Sequence, residues 1–477
     1  MNKPISILFL FIFSAFCFLF CFSLSAQKIT INFNSTPMVT PSISIATLKY
    51  DKDFAYSFTF DDATDDVFTT ALPFFRGGFI KGNNSTYQGL SYTDGCGNSI
   101  PFKAGIAWNS ANLYGIDVHT GNVADRLTWK QLDTLFSIGW DVFNHSYSHK
   151  SVSFLPNMIS ADYISQIDSN PPPIQTNTQK KIQTPFFVVP SGDTSYNKVA
   201  FAKGYKAVFN QSGEVLGFGG LDITNGIDFN SGVIHRQLFE ESLTSFHFFD
   251  AVAAKSNTTT HYWYNEFTHR IDNFTPGGFF SQFENELKRI YYAHGKPGSD
   301  RMWMAPLQEV GEYLTTSKNI SYTTKLTGSR LEITFNLSKL PTWMLHRNIT
   351  LKVNANESFN TVDAASGITT SFRGTGTDKI INVDFENFLT ANNDIPTIEP
   401  TVLKVYPNPS QQKIFIEMPA NIVFPARLTI FDATGKILSE SVENNAVVQK
   451  DIAGFPAGFY PIRLQDANKI FVGKFIR

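Results

Sequence analysis

Two short polar clusters carry the residue types that metal-dependent hydrolysis requires. Asp61 and Asp62 are adjacent, and His145 and His149 are four residues apart. Each cluster follows an apolar, strand-like run, and active sites of α/β folds form at the carboxyl ends of such strands. Two imidazoles and one carboxylate leave coordination positions open on a divalent metal, and the second carboxylate can act as a base. If the clusters meet in space, they form a hydrolytic metal site.

Each half of this pattern also has a plain structural interpretation. A His-x-x-x-His pair is also typical of surface or helix-capping histidines. Adjacent aspartates before a helix are typical of N-terminal capping, because carboxylates bind the free amide groups there. The joint occurrence of both clusters, each after a strand, favours the metal site.

The segments around these clusters alternate between strand-like and helix-like patterns. Apolar strand-like runs include residues 54–60, 140–143, 185–189, 207–209 and 259–267, and amphipathic helical runs lie between them. This alternation is typical of parallel βα units. About six or seven such strands predict a distorted or incomplete (β/α) barrel. Residues 77–112, rich in Gly, Asn, Ser and Thr, are interpreted as an insertion near the mouth of the site.

The two clusters resemble motifs of a known family. Thr59-Phe60-Asp61-Asp62 and His145-Ser146-x-x-His149 are similar to the first two motifs of the polysaccharide deacetylases, the NodB-homology family of carbohydrate esterases. The resemblance covers about residues 54–314. It implies a distorted (β/α) barrel in which Asp61 is the general base. It also implies that Asp62, His145 and His149 bind a divalent metal, expected to be zinc, with cobalt, nickel and manganese left open.

The third motif of that family is only partly present. Val188-Val189-Pro190-Ser191-Gly192 stands where the family has Arg-x-Pro, an aromatic residue and Gly. Pro190 fits the motif and is predicted to be a wall of the substrate site. Val188 replaces the arginine that normally pairs with the base carboxylate. Arg236 is a candidate to supply that guanidinium from a neighbouring strand.

The last family motif is a histidine that acts as general acid. His269 is the candidate, because it follows an aromatic-rich strand and precedes the last long helix of the barrel. His294 is the competitor, although it lies in a polar loop after that helix. For His119 we expect a surface role, with a position facing the substrate as the alternative.

The N-terminal segment and the composition limit the class of protein. Residues 1–26 are predicted to be a signal peptide, with an apolar stretch at 5–22 and small residues before a cleavage point near Ala26. No basic stop-transfer cluster follows, so no permanent membrane span is expected. Cys96 would be the one cysteine left, so stability must come from packing. A net charge of −2 gives no electrostatic case for nucleic acid.

The C-terminal third is predicted to be all β. After a catalytic domain at residues 27–315, period-two alternation predicts a small β-sandwich at 316–393, followed by a linker at 394–400. Residues 401–477 form a further β pattern. The Tyr406-Pro407-Asn408-Pro409 segment, the Gly-Phe-Tyr at 458–460 and the lysines near the end resemble the sorting domain of type IX secretion. That resemblance implies export through the outer membrane of a Gram-negative bacterium by that machinery.

Together these features predict a secreted, metal-dependent hydrolase that removes acetyl groups from an N- or O-acetylated polysaccharide or oligosaccharide. The alternative is a glycan-binding protein built on a catalytically impaired deacetylase domain, which the missing arginine would permit. A third possibility is hydrolysis of an amide in another substrate, such as a peptide, because the catalytic residues would be the same.

Overall fold

The computed structural model describes residues 27–211, 220–229, 232–240, 243, 248–385, 403–419, 422, 424–432, 437–465 and 470–477. The predicted signal peptide at 1–26 and the predicted linker at 394–400 lie outside the described residues. The chain divides into two compact units, Met1–Phe388 and Leu389–Arg477.

The first unit contains a barrel and a β-sandwich. Its strands, in chain order, are β1 (Lys28–Phe33), β2 (Ser42–Ile45), β3 (Phe54–Asp61), β4 (Gly78–Ile80), β5 (Ser85–Tyr87), β6 (Ser91–Thr93), β7 (Ser99–Pro101), β8 (Gly105–Trp108), β9 (Asp141–Asn144), β10 (Phe186–Val188), β11 (Ala207–Gln211), β12 (Gly220–Asp222), β13 (Ile234–Leu238), β14 (Tyr262–Thr268), β15 (Met302–Met304), β16 (Ser321–Thr327), β17 (Arg330–Asn336), β18 (Asn348–Asn354), β19 (Phe359–Ala364), β20 (Thr369–Arg373) and β21 (Lys379–Asp384). Its helices include α1 (Leu72–Arg76), α2 (Trp129–Ser137), α3 (Ser160–Asp168), α4 (Pro171–Asn177), α5 (Ser195–Ala202), α6 (Phe248–Lys255), α7 (Phe279–His294) and α8 (Leu307–Asn319).

Seven parallel strands form a closed barrel. Their order is β3-β8-β9-β10-β11-β13-β14, and β14 pairs with β3 to complete the circle. The short strand β15 pairs with the first half of β3, and β12 lies antiparallel to β14. The predicted distorted (β/α) barrel is therefore confirmed. Because the strands are parallel, their carboxyl ends all open on one face of the barrel.

Strand β3 is buried along its whole length between the barrel interior and the surrounding helices. The outward-facing ring of Phe58 lies 5.6 Å from Phe283 of α7, and Phe60 stacks on Trp140 at 6.1 Å. Successive side chains of a strand point to opposite sides. Asp61 therefore points into the barrel, on the opposite side from the phenylalanine that precedes it.

The sandwich takes strands from both ends of the first unit. One antiparallel sheet has the order β16-β17-β1-β19, and the other has the order β2-β18-β21-β20. The catalytic domain expected at residues 27–315 includes β1, whereas in the structure β1 pairs with β17 and β19 of the sandwich. Its alternating residues Ile29, Ile31 and Phe33 belong to the core of the sandwich.

The predicted insertion is shorter than expected. It forms two hairpins, β4 with β5 and β6 with β7, and ends before β8. Strand β8 belongs to the barrel, because it pairs with β3 and β9. The second hairpin does not mark the site mouth, since Asp94 accepts hydrogen bonds from Ser371 (2.7 Å) and Asn382 (2.8 Å) of the sandwich.

A buried charged network closes the amino end of the barrel. Glu309 at the start of α8 forms ion pairs with Lys49, at 2.9 Å, and with Lys103. The Glu309 backbone N–H donates to Asp141 at 3.0 Å, and the His346 ring lies 3.1 Å from the same carboxylate. Since His346 lies two residues before β18, this network joins the barrel to the sandwich.

We expect the pair between His346 and Asp141 to stabilise the fold at neutral pH. Burial alone lowers the pKa of His346, but the Asp141 carboxylate outweighs it and raises this pKa to about 9. His346→Leu should cost about 2 kcal/mol, the contribution of one charge-assisted hydrogen bond. The stabilisation that His346→Leu removes is fully present below the unfolded-state pKa of about 6.5. It is lost as pH rises through the folded-state pKa of His346.

Chemical denaturation of the wild type and His346→Leu between pH 6 and pH 10 measures this. The exposed His235→Leu is the control and should leave the pH profile unchanged. A stability difference that is the same at both ends of the range would contradict the assignment.

The second unit is all β. Its strands are β22 (Lys404–Tyr406), β23 (Lys413–Glu417), β24 (Ala426–Phe431), β25 (Ile437–Glu443), β26 (Val447–Asp451), β27 (Phe459–Gln465) and β28 (Ile470–Ile476). They form two antiparallel sheets, β22-β23-β26 and β25-β24-β27-β28, around a core that includes Ile414, Leu428 and Phe475. Among the described residues of the chain, none of the helices has the length and apolar character needed to cross a membrane.

Candidate metal centre and active site

Both polar clusters sit where the chain turns sharply at the end of a barrel strand. Asp62 and Ala63 follow β3 with φ values of 69° and 51°, and Ser146 and His149 follow β9 with φ values of 65° and 55°. Left-handed backbone is unfavourable for residues with a side chain and is concentrated at functional sites. These turns aim the side chains of both clusters across the open face of the barrel.

The structure brings together the three residues predicted to bind a metal. Oδ1 of Asp62 lies 3.6 Å from Nε2 of His145 and 3.4 Å from Nε2 of His149. The three ligand atoms lie within 4.8 Å of one another. With bonds of about 2.1 Å to a shared ion, ligand atoms stand about 3–3.5 Å apart, and the two distances to Asp62 agree with that spacing.

The donor set fits a divalent metal. Asp62 Oδ1 and His145 Nε2 are buried atoms that have no hydrogen-bond partner within the described residues. Leaving a buried polar atom unsatisfied costs about 1–3 kcal/mol, so such atoms call for an explanation. A shared ion would satisfy both atoms at once.

Val188 holds His145 in the orientation that metal binding needs. The His145 Nδ1–H donates to the Val188 carbonyl at 2.8 Å, which leaves the lone pair of Nε2 facing Asp62. Burial lowers the pKa of His145 to about 4, so the ring is neutral near pH 7. Val188, which stands in place of the arginine of the third motif, therefore supports the site through its backbone carbonyl group.

Arg236 supplies the guanidinium that Val188 does not. Its two terminal nitrogens donate to Asp61 at 2.8 Å and 2.9 Å, and its side chain is 1% exposed. The guanidinium also lies 4.3 Å from the ring centre of Phe267. Burial alone would raise the pKa of Asp61, but Arg236 and then His145 outweigh it, so this pKa is lowered. Asp61 is thus kept ionised, which the predicted role of general base requires.

His269 lies beside Asp61 at the closure of the barrel. It follows β14, in which Thr268 is in register with Phe60 of β3, so His269 and Asp61 are opposite one another. The charge interaction of His269 also lowers the pKa of Asp61. Glu240, which sequence reasoning missed, accepts a hydrogen bond from Thr268 at 2.7 Å, and burial raises its pKa. The sequence feature that could have indicated Glu240 is its position as an acidic residue just after the carboxyl end of β13.

The other candidate histidines lie elsewhere. The ring centre of His294 lies 5.5 Å from Phe54, the first residue of β3, so His294 is at the amino end of the barrel. The surface role expected for His119 is wrong, because this residue is buried and stacks on Trp108 at 3.9 Å. Its two ring nitrogens lie 2.6 Å from the carbonyl oxygens of Asn109 and Leu127. It therefore supports the loop that follows β8.

Pro190 is buried at the carboxyl end of β10, where it begins a short 3₁₀ turn. This position is on the same face of the barrel as the metal ligands. Its role as a wall of the substrate site stays a prediction.

Three asparagines that carry no local sequence signal position the histidine turn. Asn109 donates to the carbonyl oxygens of His145 and Ser146. Asn144 accepts from the Ser146 backbone N–H at 2.9 Å and from the Asn170 side chain at 2.8 Å. All three are buried, so the turn is fixed by a hydrogen-bonded polar layer.

A cleft of about 300 Å³ opens beside the ligands. Its lining includes Asp62 and His149 on one side and the loop from Asn109 to Tyr114 on the other. Arg126, a second residue that sequence reasoning missed, also lines it and donates to the backbone carbonyl of Asp62. The cleft therefore reaches the candidate metal site.

We expect Asp61 and Arg236 to be strongly coupled in stability. Arg236→Met would leave Asp61 buried and unpaired, and removal of one partner of a buried ion pair costs about 3–5 kcal/mol. The double variant Asp61→Asn with Arg236→Met should lose much less than the sum of the two single changes. Urea denaturation of the four proteins measures the coupling, and additive losses would contradict it.

Solved structures similar to this chain include two deacetylases and a domain of a xylanase. A Streptococcus pyogenes deacetylase, PplD in complex with acetate, is 18% identical with a TM-score of 0.23 and covers 33% of this chain and 55% of its own. The Xyl-CE4 domain of a multidomain xylanase from the hindgut metagenome of Trinervitermes trinervoides is 12% identical with a TM-score of 0.29. The match covers 54% of this chain and 89% of that domain. The BpsB deacetylase domain from Bordetella bronchiseptica is 12% identical with a TM-score of 0.23. The match covers 44% of this chain and 71% of that domain. This chain thus spans little more than half of the first of these structures.

The second unit has a family match of its own. No curated protein matches the chain. Residues 404–477 match the family model described as a secretion system C-terminal sorting domain. Its strands β22 to β28 cover the same range. The C-terminal residues 404–477 are therefore a sorting domain of the type IX secretion system, which confirms the prediction and indicates export of the chain to the cell surface or beyond.

Proposed function

We propose that the barrel is a metal-dependent hydrolase that removes acetyl groups from an N- or O-acetylated polysaccharide or oligosaccharide. The observation that carries this proposal is the convergence of Asp62, His145 and His149, with their ligand atoms within 4.8 Å of one another. The arginine-paired carboxylate of Asp61 and the imidazole of His269 lie beside them. The motif resemblance at residues 59–62 and 145–149 supplies the acetylated glycan as substrate class.

The chain's own residues divide the reaction between them. Asp62, His145 and His149 would hold a divalent ion, expected to be zinc, which supplies a Lewis acid and makes water more acidic. Asp61, kept ionised by Arg236, accepts the proton of the attacking water. His269, on the opposite side of β3 from the histidine turn, donates a proton to the leaving amine nitrogen or alkoxide oxygen. Asn109 and the Val188 carbonyl keep the histidine ligands in place.

A catalytically impaired binding protein is less well supported by this geometry. The sequence feature that favours impairment is the valine at position 188, where the resembled motif has an arginine. Arg236 contacts Asp61 through two hydrogen bonds, so the base carboxylate has its guanidinium from another strand. The binding alternative therefore loses its specific support, and hydrolysis is the function that we retain.

We expect Asp62→Ala and His145→Ala to lose both metal and activity. Each change removes one of three ligands, so the zinc content of the purified protein should fall from about one equivalent to near zero. Acetate release should fall by at least about 100-fold. Metal analysis and an acetate assay on acetylated chitooligosaccharides and acetylated xylan measure the two quantities in the same samples.

Asp168→Ala is the matched control, because Asp168 is an exposed residue of α3 that pairs with Lys203. It should keep both metal and activity. Wild-type protein that binds metal but releases no acetate from any substrate would favour the glycan-binding alternative. Variants that keep wild-type acetate release would contradict the proposal outright.

The assignment of the general acid is tested by comparing two histidines. His269→Ala should lower kcat by about 100-fold or more, since loss of a positioned proton donor removes a factor of about 10²–10⁴. His294→Ala, at the other end of the barrel, should leave kcat unchanged. Steady-state kinetics on one acetylated oligosaccharide distinguishes them. An unchanged kcat for His269→Ala would exclude it as the acid.

A further inference from the structure

Arg126 lines the cleft and has no acidic partner among the residues that the structure describes. Its guanidinium donates to the backbone carbonyl of Asp62, which uses one of its two terminal nitrogens. The ion pairs formed within the described part of the chain do not include Arg126, whereas Arg236 and Arg270 each face carboxylates. A guanidinium has five N–H donors in a planar fork, so most of its hydrogen-bonding capacity remains open.

Three carboxylates of this region have other partners among the described residues. Asp125 lies 3.6 Å from Arg270. Asp117 accepts from the His119 backbone N–H at 2.7 Å and from the Trp129 indole at 3.1 Å. The side chain of Asp62 faces the two histidines. The cleft thus presents a positive charge, held next to the candidate metal ligands, that the neighbouring acids of the described chain do not neutralise.

An ordered loop presents an aromatic ring on the same cleft. The side chain of Asn112 accepts hydrogen bonds from the backbone N–H groups of Tyr114, at 3.0 Å, and Ile116, at 3.1 Å. The loop is therefore fixed by its own hydrogen bonds, yet Tyr114 at its tip is 89% exposed. On the facing loop, Phe154 is 53% exposed and lies 6.0 Å from the His149 ring.

Most of the exposed large apolar side chains in the described part of the first unit lie on two loops, the one between β8 and α2 and the one between β9 and α3. They are Leu113, Tyr114, Ile116, Val123, Val152, Phe154, Leu155 and Ile159. Clustered exposure of this kind marks a binding surface. A sugar ring offers an apolar face to an aromatic side chain and polar groups at its edge. The exposed rings, together with a guanidinium that has no acidic partner in the described chain, therefore fit a sugar unit that carries an anionic group.

We propose that Arg126 selects acetylated glycans in which a unit next to the reacting one carries a carboxylate. This inference rests on the proposed function. The neighbouring unit, a uronic acid in chemical class, packs against Tyr114, and its carboxylate accepts hydrogen bonds from the free edge of the Arg126 guanidinium. Arg126 is thus a specificity-determining residue, and it also holds the carbonyl of the ligand Asp62.

The experiment uses two acetylated oligosaccharides that differ at one carbon. One has a uronic acid next to the acetylated unit, and in the other this carboxylate is reduced to the alcohol. The wild-type protein should show a kcat/KM about tenfold higher for the acidic compound, expressed mainly in KM, as expected for one charge-assisted pair. Arg126→Gln should remove the preference, and Arg126→Lys should keep part of it.

The ratio between the two substrates separates recognition from support of Asp62. A purely supporting role would make Arg126→Gln slower on both compounds and leave their ratio unchanged, which would overturn the proposal. Lys130→Gln, an exposed cation nearby on α2, is the control and should keep the wild-type ratio. Equal kcat/KM values of the wild type for the two compounds would also overturn it.

Binding of the products tests the same point without turnover. By calorimetry, the wild type should bind the deacetylated acidic oligosaccharide about tenfold more tightly than its carboxyl-reduced form. Arg126→Gln should bind the two compounds equally. If neither substrate releases acetate, the proposed hydrolase fails, and this comparison still decides the role of Arg126. Equal binding of the two products by the wild type would overturn the inference.

Discussion

The ion pair between Asp61 and Arg236 is the constraint on which the site depends. It joins β3 to β13, which are second neighbours in the barrel, and the ring of Phe267 on the intervening β14 packs against the guanidinium. The pair therefore ties together the three strands at which the barrel closes. Since Asp62 directly follows Asp61, the same pair also fixes the start of the turn that carries a candidate metal ligand.

The two ends of the barrel have different tasks. At the carboxyl end, the turns after β3 and β9 contain residues with left-handed backbone, and Asp62 Oδ1 and His145 Nε2 are buried without a hydrogen-bond partner among the described residues. At the amino end, Glu309 with its two lysines, and Asp141 with His346, form a fully engaged polar network that joins the sandwich. This separation lets the site keep strained and unpaired groups while the other end supplies stability.

Strand periodicity and cluster position predicted the barrel and the three candidate ligands, because both are local patterns. Burial and pairing across the fold were not predictable in this way. His119 has the sequence of a surface loop and is buried only because Trp108 and two carbonyl groups enclose it. Helix α4 begins with three prolines, which suggest a loop, although proline at the first positions of a helix is compatible with it. Asn109 and Arg126 are isolated polar residues. Their partners are backbone carbonyl groups far away in the sequence, so no sequence motif marks them.

The closed seven-strand barrel has a consequence for how such sites can be recognised. Strands around a circle all point alternate side chains at one shared axis, so chain order does not determine which strand reaches a given centre. A guanidinium can thus reach the carboxylate of Asp61 from β13, while β10, which carries the incomplete third motif, contributes a carbonyl group to the site instead. Search patterns written in the order of the chain will overlook exchanges of this kind, whereas patterns written in three-dimensional positions around the axis will find them.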